Sequence, residues 1–121
     1  MKKFIIGIDI SKDTLDYCLL NVSTHQKLSA GSVDNTKPAI TKWLKSVDLA
    51  NTDFTMEHTG HYGALLASTL NEIGAHFYMV NPLDLKKSLG IHRGKTDEID
   101  AYRIASYTCL LYTSDAADEA K

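Results

Sequence analysis

Long apolar runs are missing from this sequence. The N-terminal stretch Phe4 to Ile8 is interrupted at Asp9 after five residues. That is short of the ~7–15 residues of a signal-peptide core, and nothing approaches the ~20 needed to cross a bilayer. A cytoplasmic protein with no membrane partner is therefore expected. Cysteine is scarce: Cys18 and Cys109 stand far apart without a motif, which speaks for buried or incidental thiols rather than a disulfide or metal pair. A dominant charge sign is missing too. Thirteen Lys+Arg face fifteen Asp+Glu. The excess comes from Asp115, Asp118, Glu119 and Lys121, and the rest of the chain balances at twelve against twelve. This excludes a polybasic binder or an acidic tail protein, while a local basic patch can still follow a phosphate backbone. There is no Walker-type loop, no Ser-His-Asp or Cys-His triad, no internal repeat and no low-complexity linker. His25, His58, His61, His76 and His92 show no zinc spacing, and a structural role suits His58 and His61.

What is present reads as one globular domain. At 121 residues, with 44% apolar and 23% charged, the chain can bury roughly two-thirds of its unfolded surface. Lys3 to Ile10 is an apolar, β-branched run that predicts a strand covered on both faces. A turn at Ser11 to Asp13 leads to a second strand over Thr14 to Asn21. A third strand, over residues 25–33, is polar enough for an edge, and short connections make the three antiparallel. The period then changes to 3.6. Asn35 or Thr36 caps a helix with Pro38 in its first turn. Ile40, Trp43, Leu44 and Val47 form its apolar stripe, with Trp43 as a core anchor. A strand over 53–57 precedes a helix from Thr59 to Ile73. That helix turns Tyr62, Leu65, Leu66, Leu70 and Ile73 inward and stops at Gly74. A strand over Ala75 to Val80 ends at Asn81-Pro82. A short helix over 82–89, a loop from Gly90 to Gly94, and a last helix capped by Thr96 and beginning at Asp97 complete the chain. Right-handed crossovers set strands 53–57 and 75–80 parallel to strand 3–10. The result is an α/β fold: a mixed five-stranded sheet with flanking helices, the layout of the ribonuclease-H fold.

Four acidic residues stand out. Asp9 lies inside an apolar strand, where an unpartnered carboxylate costs several kcal/mol. It is therefore paired, metal-bound or at an exposed strand end, or it caps the turn at Ser11. Glu57 ends the strand expected beside it, and ligand sites in open α/β sheets lie beyond the carboxyl ends of strands. Asp97 and Asp100 are three apart on a helix and share a face; a solvated first turn at the positive end of the helix dipole is the alternative. Together the four can hold a hard cation with oxygen ligands, which suits magnesium. Two such ions about 4 Å apart can activate a nucleophile and stabilise the leaving oxygen of a phosphodiester. His92, Arg93 and Lys95, with Lys86 and Lys87 before them, lie in or near a Gly-flanked loop able to approach phosphate. A merely solvated loop is the other reading.

Gly7-Ile-Asp-Ile-Ser-Lys12, Met56-Glu-His-Thr-Gly60, Val80-Asn-Pro82 and Gly94-Lys-Thr-Asp-Glu-Ile-Asp-Ala101 occur in that order. Together they resemble the N-terminal domain of the DEDD transposases of the insertion-sequence one-ten family, over residues 3 to about 107. The resemblance implies a RuvC-like ribonuclease-H fold over 1–108. It also implies that Asp9, Glu57, Asp97 and Asp100 bind magnesium, or manganese in its place, for DNA strand cleavage and exchange. Arg93 and Lys95 would contact nucleic-acid phosphate. Also implied are DNA as partner, a structured guide RNA in several members, a homo-oligomer when full length, and a C-terminal domain with a serine nucleophile. Nothing here matches that domain, so a truncated chain that binds metal without completing transposition is expected. Residues 109–121 leave the family pattern and read as an atypical tail from sequence assembly. The alternatives are a structure-selective nuclease of the same fold, an actin-like ATPase, and an inactive nucleic-acid-binding remnant.

Overall fold

A computed structural model of the chain describes residues 2–57, 61–81 and 97–119, without the side chains of 97–99 and 112–119. The apolar N-terminal run forms β1 (Phe4–Ile10) at the centre of the sheet. It pairs antiparallel with β2 (Thr14–Asn21) and parallel with β4 (Thr52–Glu57). Outside these lie β3 (Lys27–Asp34), antiparallel to β2, and β5 (Phe77–Val80), parallel to β4. The order β3-β2-β1-β4-β5 is the expected mixed five-stranded sheet.

Strand alternation sorts the core into two layers. Ile6 and Ile8 join Leu15, Phe54 and Met56 under α1 (Lys37–Leu44) and α2 (Ala64–Glu72), meeting Ile40, Leu44, Leu66 and Leu70. Ile5 joins Cys18, Leu20 and Val22 on the other face under α3 (Asp97–Glu119), meeting Ala101, Ala105 and Cys109. Burial on both faces is why β1 shows no polar alternation. α1 is capped by Thr36, whose Oγ1 accepts from Ala39 N, with Pro38 in its first turn. Trp43 is a half-buried bridge from α1 to the sheet, 5.0 Å from the Tyr17 ring and 6.0 Å, edge-on, from Phe54.

Several boundaries move from expectation. β3 starts at Lys27 because His25, at φ 60°, belongs to the turn. In that turn Asn21 Oδ1 accepts from Ser23 N and Thr24 N. α2 starts at Ala64, and residues 61–63 before it are a turn. Tyr62 and Ile73, expected inward, are 47% and 44% exposed because they fall beyond the two ends of the helix. Gly74, at φ 74°, turns the chain out of α2 into a conformation that side chains disfavour. β5 starts at Phe77, since Ala75 N still donates to the Leu70 carbonyl. The expected helix over 82–89 and the loop to Gly94 lie outside the described residues.

α3 seats on the sheet at an unusually close point. A Cβ on Gly7 would lie 2.6 Å from Ala105 N, 2.8 Å from Ala105 Cβ and nearer still to the Ala101 carbonyl oxygen. Only glycine lets the helix backbone lie this close to the strand.

Candidate active site at the ends of two parallel strands

Gly7 faces α3, so Asp9, two residues on, projects to the same side. Thr55 faces α3 as well, through a 2.8 Å hydrogen bond from Thr108 Oγ1 to Thr55 Oγ1. Glu57, two residues on and the last residue of β4, therefore shares that side. The parallel register pairs Gly7 with Thr55 and Ile8 with Met56. The pairing ends there; Asp9 and Glu57 are the next residues of the two strands, which by that register would be level with each other. Both side chains are half-buried, at the carboxyl ends of their strands.

The helix delivers the next carboxylate. Asp100 is half-buried in the first turn of α3, and the following residue, Ala101, has its carbonyl against Gly7. Asp97 opens the helix three residues earlier. The close contact therefore joins chain positions adjacent to Asp100 on one side and two residues from Asp9 on the other. Arg93 and Lys95, with His58, His92, Lys86 and Lys87, lie outside the described residues.

Sequence reading passed over a fifth carboxylate. Asp16 on β2 is directly opposite Asp9 in the antiparallel ladder and shares its face. Like charges directly opposite each other are unfavourable, and a nearby cation reverses that sign. The available signal was symmetry: Asp9 and Asp16 are equidistant from the four-residue connection Ser11–Thr14. That turn is closed by Ser11 N and Ser11 Oγ, both donating to the Thr14 carbonyl at 2.9 Å.

Asn35 clamps the two strand ends. Its Nδ2 donates to the Ser11 carbonyl and to the Tyr62 carbonyl, both at 3.0 Å. It thus ties the turn after Asp9 to the segment after Glu57. A separate ionisable pair marks the other end of the sheet. Asp53, whose side chain is 5% exposed, meets His76 Nδ1 at 3.0 Å, joining β4 to the entry of β5. Among the described residues, no three His, Cys, Asp or Glu side chains are grouped to hold a metal ion, and no helix is long and apolar enough to cross a membrane.

A family model described as transposase, of the DEDD insertion-sequence one-ten type, matches residues 6–119. The pilin gene-inverting protein of Moraxella lacunata is 34% identical over 112 residues, covering 88% of this chain and 34% of that protein. The chain thus spans about a third of the length of the curated relatives it matches. Among solved structures, Thermus thermophilus RuvC superposes with a TM-score of 0.67 at 14% identity, over 92% of this chain and 96% of that one. T. thermophilus RuvC in complex with a Holliday junction substrate gives 0.64 at 12% identity, over 91% and 95%. At such identities the likeness carries the architecture, a RuvC-like member of the ribonuclease-H fold. With the family match running along nearly the whole chain, the protein belongs to the DEDD transposases of the insertion-sequence one-ten family.

Proposed function

We propose that this chain is the metal-holding part of a DNA transposase, acting on the phosphodiester backbone through carboxylates at the ends of β1 and β4. The observation that carries the reading is the shared face: Asp9 and Glu57 each follow the last paired residues of neighbouring parallel strands, with the Asp100 turn of α3 over the same side. The donor chemistry fits a hard divalent cation, since these groups offer carboxylate oxygens without thiolate or imidazole. Among the described residues these carboxylates are not grouped as metal ligands; in this reading a bound ion would draw Asp9, Glu57 and Asp100 together, with water and Asp97 as further oxygen donors. When bound, magnesium or manganese lowers the pKa of an attacking oxygen and stabilises the leaving one.

The chain's own part is positional. In this reading the sheet would hold Asp9 and Glu57, and the first turn of α3 would supply Asp100 and Asp97. Arg93 and Lys95, just before α3, are assigned the phosphate contacts. DNA is the partner of this reading, in keeping with a fold neighbour whose structure holds a Holliday junction substrate. The guide RNA, self-association and the serine of a second domain rest on family resemblance alone.

Thermal melting in magnesium or manganese, beside Asp9→Asn, tests the proposal. An ion at ~100 times its dissociation constant stabilises by about 2.7 kcal/mol, a rise of several degrees for a domain this size. The shift is expected in the wild type and absent in Asp9→Asn. An equal shift in both proteins overturns the metal assignment.

A further inference from the structure

We infer that Thr108 is a positioning residue for the carboxylate site, holding α3 in the rotation that presents Asp100 beside β1 and β4. This rests on the metal-site reading above. Thr108 is 2% exposed, between α3 and the sheet. Its Oγ1 donates to Thr55 Oγ1 at 2.8 Å and lies 3.2 Å from the Ile104 carbonyl. Around this hydroxyl pair the layer is apolar: Ile5, Cys18, Leu20, Ala105 and Cys109. Burying hydroxyls in such a layer is unfavourable unless they are hydrogen-bonded, and this pair meets that need with a bond that links helix to sheet.

The pair supplies what the Gly7 contact lacks. Small residues at Gly7, Ala101 and Ala105 let α3 come close, and the apolar contacts along the helix are non-directional, so they tolerate a small roll. A hydrogen bond weakens steeply as its distance and angle depart from ideal, so a second, directional point stops the roll. Each point lies two residues from a site carboxylate: Gly7 from Asp9, Thr55 from Glu57. A roll of about 15° moves a carboxylate ~6 Å from the helix axis by ~1.5 Å, against a ligand-distance tolerance of about 0.2 Å.

The test compares wild type, Asp9→Asn, Thr108→Val and Thr108→Ser in the intact chain, measuring the manganese dissociation constant. Circular dichroism and alkylation of buried Cys109, read by mass spectrometry, report whether α3 stays seated. Thr108→Val is expected to weaken manganese binding about 10-fold, the scale of losing an outer-shell partner, with Cys109 still protected. Thr108→Ser, which keeps the hydroxyl, is expected to stay within about 3-fold of wild type. If Thr108→Val alone unseats the helix, the Thr55→Val/Thr108→Val pair, which leaves no orphaned hydroxyl, carries the same expectation. Wild-type affinity in a folded valine variant, with binding lost in Asp9→Asn, overturns the positioning role alone. Binding that is absent from the wild type, or unchanged in Asp9→Asn, overturns the metal site and this role with it.

Discussion

Replacing Gly7 by alanine probes the contact on which the site depends. The new methyl carbon would start 2.6 Å from Ala105 N and nearer to the Ala101 carbonyl oxygen. Ordinary non-bonded separations are ~3.5 Å, so α3 must retreat by about 1 Å or the strand must distort. The obstacles are backbone atoms, which cannot swing aside as a side-chain tip does. Overpacking of a core costs ~1–3 kcal/mol, occasionally more, and a backbone clash belongs at the upper end. About 3 kcal/mol corresponds to a melting-temperature loss on the order of 10 °C at this size. Two controls separate this from a generic glycine effect. At Gly63 the added carbon meets only Ile10 Cδ1, at 3.0 Å, so Gly63→Ala is expected to cost under about 1 kcal/mol. At Gly74 nothing lies within 4 Å, but φ is 74°, so Gly74→Ala is expected to cost about 1–2 kcal/mol of backbone strain. Urea unfolding gives the energies, and Cys109 alkylation reports the seating of α3. A Gly7→Ala protein within about 0.5 kcal/mol of wild type, with Cys109 still protected, would refute the close-contact account.

Two further outcomes follow from single groups. Asn35→Ala removes donors to the Ser11 and Tyr62 carbonyls; a loss of about 1–2 kcal/mol is expected, with faster amide exchange at Ala64. Unchanged exchange there would contradict the clamp. Burial raises the Cys109 thiol from 9.0 to about 11. The unfolded thiol ionises near 9 while the folded one keeps its proton, so the stability contribution is whole below pH 9 and declines as pH rises towards 11. The loss is on the order of 2 kcal/mol. Urea titrations at pH 8 and 10.5 should show a steeper decline for wild type than for Cys109→Ala, and equal declines would refute the assignment.

The sheet was legible because burial writes itself into composition. The unbroken run in β1 announced two covered faces, and the polar sequence of β3 announced an edge. Ile40, Trp43 and Leu44 of α1 pack as their spacing predicts, joined by Val47 just beyond the helix end. Asp9 and Glu57 draw attention in the sequence because a carboxylate at or near the end of an apolar strand is costly without a partner. Tyr62 and Ile73 misled because periodicity continues past the residue where backbone geometry ends a helix. Asp16, the Asp53–His76 pair and the Thr55–Thr108 bond were hidden for another reason. Each depends on which residue of one segment lies opposite which residue of another, and spacing within a segment does not record register between segments.

The seating of α3 also constrains how the protein is made. The helix that covers Ile5, Cys18, Leu20 and Val22 is roughly 80–100 residues downstream of them. At ~5–20 residues per second, a nascent chain exposes that apolar face for about 5–20 s before its cover emerges. The other face can be closed earlier by α1 and α2, so the growing domain passes through a half-covered sheet with one adhesive side. Encounters between neighbouring nascent chains, and the attention of chaperones, fall in that interval. Any change that delays the arrival of α3 lengthens it, even if the finished fold is equally stable.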